Sequence, residues 1–337
     1  MDKLYSPEET GIVEKYYGKI PVREIIELYL PNRTGGSIRG KATRLGLKSN
    51  LTMKGAVEPQ RGADTSVSDQ VLLEELGRRG YASVKRDIPK VDEFYQLAEP
   101  LEPIEIGVVS DTQIGSKQQQ ITHLNRFYDY CHDRGISIML NCGDIVEGNG
   151  KLYRGQAYDL FLHGADAQED YTVKAYPKRK DMITYMIGGN HDESFYKSDG
   201  NEILRHIADK RDDLRYLGMY GAHLKLGNIK IYMMHGDSGV AYARSYKLQK
   251  IIEQMSPQTK PHILVAGHWH VGTHLPMYRN VEGFSLGCFQ AQTSYMRRKG
   301  LYPTLAGLIL KIYPDEMGLQ GIDTHWEYYH IPVEHDY

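Results

Sequence analysis

Residues 188–192 read Gly188-Gly189-Asn190-His191-Asp192, and they follow the apolar run Met-Ile-Thr-Tyr-Met-Ile at 182–187. This run is short, partly β-branched and bounded by glycine, which is typical of a buried strand. In open α/β sheets, ligands bind at the carboxyl ends of the strands. The pattern therefore predicts that the amide of Asn190, the imidazole of His191 and the carboxylate of Asp192 reach a binding site.

Four further apolar runs end in the same way, at 104–110, 136–140, 229–234 and 263–266. One more apolar run, at 222–226, is predicted to pair with the strand at 229–234. Predicted helices alternate with these strands at 119–134, 156–170, 200–211 and 240–254. This alternation predicts a layered α/β fold. The polar residues that follow the four runs are Asp111, Gln113, Asp144, His235, His268 and His270.

These side chains combine imidazole nitrogens with carboxylate and amide oxygens. Such a mixture suits manganese, iron, zinc or similar ions better than an all-oxygen calcium site. Two ions about 3.5–4 Å apart need one bridging carboxylate and separate terminal ligands. A single histidine at a strand end is more often structural, but four of them together with two aspartates favour a metal centre.

The order of the motifs resembles the calcineurin-like metallophosphoesterase family, in its nuclease and phosphodiesterase branch. The motifs are Asp-x-Gln at 111–113, Gly-Asp-x-x-x-Gly at 143–148, Gly-Asn-His-Asp at 189–192, His-Gly at 235–236 and Gly-His-x-His at 267–270. The resemblance covers roughly residues 104–330 and implies a two-sheet β-sandwich flanked by helices. We predict that this domain spans residues 104–337.

The resemblance also implies a role for each polar residue. It gives the first ion the ligands Asp111, Gln113, Asp144 and His270. It gives the second ion the ligands Asp144, Asn190, His235 and His268, so that Asp144 bridges the two ions. His191 would face the leaving group, and Asp192 would hold the tautomer of His191 or, alternatively, cap the following helix.

The implied reaction is the hydrolysis of a phosphoric ester. Two ions that share a water lower its pKa from 15.7 towards about 7, and the resulting hydroxide attacks phosphorus in line with the leaving oxygen. His191 would assist that leaving group as a general acid, a contribution of about 10²–10⁴-fold. Manganese is the predicted metal, with iron, zinc, nickel and magnesium as alternatives.

Position 113 departs from the family pattern, which has Asp-x-His in its first motif. The amide oxygen of Gln113 is a weaker donor to a transition metal than imidazole. We therefore expect weaker binding of the first ion, or binding that requires substrate. The alternative is a metal centre that no longer supports catalysis.

The N-terminal residues predict a small helical module at 1–48. Ser6, Pro7 and Glu9 form the pattern of a capped helix start, and Thr34 and Gly46 mark the ends of a third helix. The module is similar to a Myb-like or homeodomain-like helix-turn-helix, which implies binding to DNA. The alternative is a protein-interaction module. The basic residues expected to contact DNA phosphates are Arg33, Arg39, Lys41, Arg44 and Lys48.

Composition limits the remaining classes of function. The chain of 337 residues has 41 basic and 43 acidic side chains, so any nucleic-acid surface must be local. Its three scattered cysteines favour reduced thiols over a disulfide framework. No apolar run approaches ~18 residues, so we expect an intracellular, cytoplasmic protein without a membrane partner. Residues 49–103 are predicted to be a linker and connector with a short helix at 72–76.

Two basic segments are candidate substrate contacts or, alternatively, solvated surface. Lys151, Tyr153 and Arg154 follow the Gly-Asp motif, and a basic run occupies residues 297–299. Tyrosine is abundant, with 26 residues against 6 phenylalanines, and its ring can stack on nucleobases or pack in a sheet.

Three functions are compatible with these patterns. The first is a phosphodiesterase or nuclease to which the N-terminal module delivers DNA. The second is a small-molecule or protein phosphatase whose module binds a partner, and the third is a non-catalytic DNA-binding protein with a degraded metal site. The basic third helix favours the first, an arrangement that is phage-like by analogy. A homo-oligomer and an ATPase partner are both compatible with the sequence.

Overall fold

The computed structural model describes residues 5–20, 22–47, 94–98, 102–316 and 318–337. The chain divides into two compact units, residues 1–85 and 86–337. The predictions for Lys48, for the linker at 49–68 and for a helix at 72–76 fall outside the described residues. Within the described ranges, no helix has both the length and the apolarity needed to cross a membrane.

The described residues of the first unit form three short helices, α1 (Pro7–Tyr16), α2 (Val22–Leu28) and α3 (Gly35–Arg44). The predicted capping box at the start of α1 is confirmed. Glu9 N donates to Ser6 Oγ at 3.1 Å, and Ser6 N donates to Glu9 Oε2 at 2.8 Å. The Thr34 hydroxyl caps α3 by accepting a hydrogen bond from Ser37 N. The small core of this unit consists of Val13, Ile25, Leu30, Ile38 and Ala42.

The described part of the second unit contains two six-stranded sheets. The strands of sheet A are β1 (Phe94–Ala98), β6 (Gly221–Leu226), β7 (Ile229–His235), β8 (Ile263–Gly267), β9 (Thr273–Tyr278) and β10 (Val281–Ser285). The strands of sheet B are β2 (Ile104–Val109), β3 (Ile138–Asn141), β4 (Ile183–Gly188), β5 (Leu214–Met219), β11 (Ala306–Asp315) and β12 (Gly318–Tyr328). The spatial orders are β1-β6-β7-β8-β10-β9 and β12-β11-β2-β3-β4-β5.

The apolar side chains of the sheets separate into layers. Val108 of β2 and Ile231 of β7 belong to the same buried cluster between the sheets. On the other face of sheet B, Val109 packs with residues of helix α4 (Ile121–Asp133). Runs of apolar residues, rather than strict alternation, are expected for strands that are covered on both faces. The structure thus has the predicted α/β fold, a two-sheet sandwich flanked by helices.

The other helices of the second unit are short. They are α5 (Gln156–Asp159), α6 (Ala165–Ala175), α7 (Asn190–Asp199), α8 (Ile203–Asp209), α9 (Tyr246–Gln254) and α10 (Ser294–Lys299). Helix α9 packs its Leu248 and Ile252 against the outer face of sheet A. Sheet B is covered by α4 and α8.

Several predicted boundaries were wrong. The helix predicted at 156–170 is two helices, α5 and α6, and the second begins after Gly164, whose φ is +89°. The helix predicted at 240–254 begins only at Tyr246. The structure also contains α7, β1 and β5, which the sequence analysis did not predict. Strand β1 lies before the predicted domain start at residue 104, and it pairs in parallel with β6.

Parallel pairing brings the strand ends of the motifs to one edge of each sheet. In sheet B, β2, β3 and β4 are parallel neighbours, with Val109 opposite Asn141 and Asn141 opposite Met186. In sheet A, β7 and β8 are parallel, with His235 opposite Gly267. Because the carboxyl ends of parallel strands meet at the same edge, the segments that follow these five strands collect there.

Candidate metal centre

The backbone turns sharply at five of the seven predicted metal ligands. Their φ angles are +52° at Asp111, +48° at Gln113, +53° at Asp144, +90° at His268 and +54° at His270. Residues other than glycine rarely adopt positive φ, and such strain costs about 1–3 kcal/mol and clusters at functional sites. The strained turns bring the side chains of these residues to the edge where the strands end.

Two motif glycines allow the strand ends to approach each other closely. A Cβ at Gly189 would collide with Asp144 Oδ1 and would lie 2.7 Å from Asp144 N. Gly143 has a φ of +93°, and a Cβ there would lie 2.7 Å from His235 Nδ1. The glycines of the Gly-Asp and Gly-Asn-His-Asp motifs are therefore required for the packing of the ligands themselves.

Asp144 lies at the centre of the polar cluster and is 1% exposed. Its Oδ2 is 3.2 Å from His235 Nε2, and its Oδ1 accepts a hydrogen bond from His191 N at 2.8 Å. Burial disfavours the charged carboxylate, but His235 and His191 outweigh burial and hold the pKa of Asp144 below its ordinary value. A charged carboxylate at this position has the chemistry required of a bridging ligand.

Three residues surround Asp144 on the side predicted to hold the second ion. Asn190 Oδ1 lies 2.9 Å from His268 Nδ1 and 3.3 Å from His235 Nε2. His235 Nδ1 donates to the Cys142 carbonyl at 2.8 Å, so Nε2 is the ring atom directed at Asp144 and the one that could bind a metal ion. One donor atom each from Asp144, His235 and His268 lies within 4.8 Å of the other two.

The residues predicted to hold the first ion also lie in this cluster. His270 Nε2 is 3.1 Å from Asp111 Oδ1, and Gln113 Nε2 donates to Asp144 Oδ2 at 3.2 Å. Gln113 Oε1 is buried and has no hydrogen-bond partner among the residues that the structure describes. Because an unpartnered buried acceptor costs about 1–3 kcal/mol, this orphaned oxygen fits a ligand for a cation. The donors present thus fit a metal-binding group of aspartate and histidine side chains.

His191 is held from one side of its ring. Its Nδ1 donates to the backbone carbonyl of Glu147 at 2.8 Å, and its Nε2 lies 3.9 Å from Asp144 Oδ2. Burial lowers the pKa of His191, but the carboxylates of Asp144 and Glu147 outweigh burial and raise it above the ordinary value. These carboxylates therefore shift the ring towards its protonated form, which can donate from Nε2, relative to a free histidine.

The structure places the Asp192 carboxylate against backbone amides rather than against His191. It accepts hydrogen bonds from Gly189 N at 2.8 Å and from Ile145 N and Val146 N at 3.0 Å each. The predicted tautomer-holding contact is therefore wrong, and the alternative role is present. Asp192 caps the start of α7 and joins it to the segment after β3.

Glu147 is the site residue that the sequence analysis missed. It is fully buried, and its carboxylate accepts hydrogen bonds from Gln290 Nε2 at 2.6 Å and Gln156 Nε2 at 3.1 Å. Glu147 occupies an unspecified position of the Gly-Asp-x-x-x-Gly motif. The only signal in the sequence was an acidic residue three positions after Asp144 in an otherwise apolar segment.

A cavity of about 330 Å³ opens beside the polar cluster. Asp144, Asn190, His191, His268 and His270 line one side of it. The other side is largely apolar and aromatic, and its residues include Leu152, Tyr153, Tyr295, Met296, Leu301 and Tyr302. Four of the seven predicted ligands and His191 therefore face a space that can admit a small substrate or part of a larger one.

The basic residues predicted to contact DNA differ in their surroundings. Arg33 is 11% exposed, and its Nη2 lies 2.7 Å from Glu9 Oε2, so it ties the start of α3 to α1. Arg39 and Arg44 are exposed on α3, and Lys41 is half-buried with its Nζ 5.5 Å from the centroid of the Tyr5 ring. Lys48 lies outside the described residues.

The family pattern described as calcineurin-like phosphoesterase matches residues 104–295. The matched segment contains all seven predicted ligands and most of both sheets. The chain belongs to the calcineurin-like phosphoesterase family.

The individual relatives described next are less than 25% identical to this chain. The chain is 24% identical over 315 residues to the DNA polymerase II small subunit of Methanocaldococcus jannaschii. The aligned residues cover 77% of this chain and 52% of that protein. It is 23% identical over 243 residues to the DNA polymerase II small subunit of Methanothermobacter thermautotrophicus. That alignment covers 59% of this chain and 50% of that protein. The chain thus spans about half the length of these curated relatives.

Solved structures with a similar fold include a predicted phosphoesterase from Streptococcus pneumoniae, with a TM-score of 0.33 and 12% identity over 68% of this chain and 100% of that one. They also include GAP50 of Plasmodium, with a TM-score of 0.40 and 11% identity over 69% of this chain and 87% of that one.

Proposed function

We propose that this chain is a phosphodiesterase or nuclease that acts on DNA and depends on two divalent metal ions. The observation that supports this most is the convergence of carboxylate, imidazole and amide donors around Asp144. The buried, unpartnered oxygen of Gln113 belongs to the same cluster. Phosphoric esters are the substrates that such a donor set, beside an open cavity, can serve.

The proposed ligands are Asp111, Gln113, Asp144, Asn190, His235, His268 and His270. Bound there, manganese ions, or alternatively iron, zinc, nickel or magnesium, would supply Lewis acidity towards the phosphate and a nucleophilic water at neutral pH. The chain itself provides a fixed arrangement of donors, because the strained turns and the motif glycines leave these side chains little freedom.

His191 is the proposed proton donor. The Glu147 carbonyl fixes its Nδ1–H, so the opposite nitrogen, Nε2, is available to the leaving oxygen of the ester. Asp192 acts as a positioning residue, since its bonds to three backbone amides hold the first turn of α7, where Asn190 and His191 lie.

DNA is the proposed substrate for two reasons. The curated relatives are named as DNA polymerase subunits, and helix α3 exposes Arg39 and Arg44. We propose that these two residues, with Lys41 and Lys48, contact DNA phosphates. Arg33 is left out of this surface because its guanidinium is paired with Glu9. The cytoplasmic location and the phage-like arrangement stay predictions.

A second candidate is a non-catalytic subunit of a DNA-processing assembly. The names of the relatives favour it, because each of them is called a small subunit. In that case the domain would bind DNA or a partner chain, and the metal centre would be structural. The two candidates differ in whether any ester is hydrolysed.

The test is a manganese-dependent assay with three kinds of substrate: bis-p-nitrophenyl phosphate, p-nitrophenyl phosphate, and end-labelled single- and double-stranded DNA. Asp144→Asn is the control in every arm. Cleavage of DNA and diester that is lost in the control supports the nuclease. Turnover of the monoester alone indicates a phosphatase, and no turnover of any substrate in the presence of bound metal indicates the non-catalytic subunit.

A further inference from the structure

The cavity beside the proposed ligands continues into a second groove. This groove has a volume of about 920 Å³, and Tyr302 and Pro303 line both spaces. Tyr302 is 74% exposed, so its ring stands at the boundary between them. The residues that line the second groove include Lys117, Arg297, Tyr328, Tyr329 and His330. The cavity and the larger groove thus adjoin each other at Tyr302 and together define a candidate path along the surface.

Aromatic rings occur along the whole path. In the first cavity, the ring centroids of Tyr153 and Tyr295 lie 4.5 Å apart. The Tyr153 hydroxyl lies 3.4 Å from carboxylate oxygens of both Glu147 and Asp159, which fixes its ring. Tyr328, in the second groove, is 49% exposed. The Arg298 guanidinium lies 5.9 Å from the centroid of the Tyr295 ring, so the rings that offer a free face are the exposed ones of Tyr302 and Tyr328. Such rings can stack on nucleobases of any sequence.

Basic side chains adjoin this path from two separate segments. Lys151 and Arg154 flank the lining residues Leu152 and Tyr153, and residues 297–299 follow Tyr295 and Met296. All five basic side chains are exposed, and within the described part of the chain none of them forms an ion pair. In a chain of net charge −2, this is a local excess of positive charge.

The helix dipole accounts for only part of this charge. Basic residues at the end of a helix stabilise it, which applies to residues 297–299 at the end of α10. It does not apply to Lys151 and Arg154, which lie in the segment before α5. Unpaired positive charge beside exposed aromatic rings is the combination that binds nucleic-acid strands.

We propose that the cavity and the second groove bind single-stranded nucleic acid. Its phosphates would lie among the five basic side chains, and its bases would stack on Tyr302 and on the neighbouring rings. The bases of a duplex are stacked on one another, so only an unpaired strand can offer its faces to these tyrosines. This inference rests on the proposed phosphodiesterase function and names the form of its substrate.

The test is equilibrium binding of a fluorescein-labelled ten-nucleotide thymidine strand to the full chain in manganese, measured by fluorescence anisotropy. Phosphorothioate linkages protect the strand from cleavage. The matched probe has the same backbone with abasic sites. Because stacking contributes to each base that is bound, we expect the thymidine strand to bind about 5-fold or more tightly than the abasic strand. Tyr302→Ala should remove most of this preference.

The matched control is Tyr158→Ala. Tyr158 is 84% exposed on α5 and lines neither space, so its replacement should leave the preference unchanged. Equal binding of the two strands by the unaltered chain would overturn the proposal, as would an equal effect of the two tyrosine variants. This measurement needs no turnover. A failed hydrolysis assay together with a retained base preference would therefore reject the proposed function and keep the strand-binding groove.

Discussion

The side chain of Gln113 makes one hydrogen bond and leaves one acceptor unused. Its Nε2 donates to Asp144 Oδ2, and its Oε1 is buried without a partner. We expect Gln113→Leu to weaken binding of one of the two ions by at least the roughly 10–100-fold seen when partners outside the ligand shell are removed. Titration calorimetry with Mn²⁺ measures this.

Gln249→Leu is the matched control for Gln113→Leu, because Gln249 lies on α9 and its Nε2 donates only to a serine hydroxyl of the same turn. Two manganese ions bound with unchanged affinity in Gln113→Leu would contradict the assignment of Gln113 as a ligand.

His191 is expected to act in proton transfer and not in metal binding. His191→Ala should therefore slow diester hydrolysis by about 10²–10⁴-fold and leave the metal content unchanged. Elemental analysis and steady-state kinetics of the same preparation check both parts. A loss of metal in this variant would instead identify His191 as a ligand.

The residues at the strand ends could be predicted from the sequence because each follows an apolar run and carries a group that binds metals. The partners of His191 could not be predicted in the same way. Asp192 is adjacent in the sequence, but the first turn of α7 directs its carboxylate to backbone amides. Glu147 reaches His191 only through the tertiary fold, which brings the segment after β3 against α7.

The turn from β4 into α7 depends on the absence of a side chain at Gly189. Since a Cβ at Gly189 would collide with the Asp144 carboxylate, Gly189→Ala should displace Asp144 and lower both metal content and thermal stability. Overpacking of this kind typically costs about 1–3 kcal/mol. Differential scanning fluorimetry with and without Mn²⁺ measures the effect.

Gly321→Ala is the control for the turn. A Cβ at Gly321, in β12, would make only an ordinary contact, 4.0 Å from the Tyr313 ring. We expect this variant to keep its metal. Equal losses of metal and of thermal stability in the two alanine variants would show that the close approach at Gly189 does not cause these losses.

The basic residues of the first unit lead to a separate prediction about DNA binding. Replacing Arg39 and Arg44 with glutamine should weaken DNA binding and reduce its salt dependence, because each phosphate contact releases counterions. Arg33→Gln should instead expose the unit to local unfolding, since Arg33 joins α3 to Glu9 of α1. Hydrogen exchange of residues 5–47 separates the two effects. Unchanged DNA affinity in the double variant would reject the helix-turn-helix interpretation.

The strands that hold the site were predictable because they are apolar runs covered on both faces. Strand β5 contains a charged residue, Arg215, and a glycine, and only two of its six residues are buried; β1 lies in a region that was predicted to be a connector. Helix α7 was missed because its first residues are the motif itself. A motif that supplies ligands and also starts a helix gives no separate helical signal.

Metal binding should be visible in the stability of the folded chain. Ions that bind only the folded state stabilise it by about 2.7 kcal/mol at a concentration of 100 times Kd, which corresponds to roughly 5–10 °C in Tm for a domain of this size. We expect Mn²⁺ to raise Tm, a chelator to lower it, and Asp144→Asn to abolish the difference. An equal shift in Asp144→Asn would place the bound ions elsewhere.

The proposed ligands come from both sheets of the sandwich. Asp111, Asp144 and Asn190 follow strands of sheet B, whereas His235 and His268 follow strands of sheet A. Bound ions would therefore cross-link two layers that are otherwise joined by apolar packing and by hydrogen bonds such as that from His235 Nδ1 to the Cys142 carbonyl. They would also connect segments far apart along the chain. The sheets could then separate only after the ions had left, so the rate of metal loss would limit the rate of unfolding. Metal starvation would then shorten the lifetime of the protein as well as remove the proposed activity.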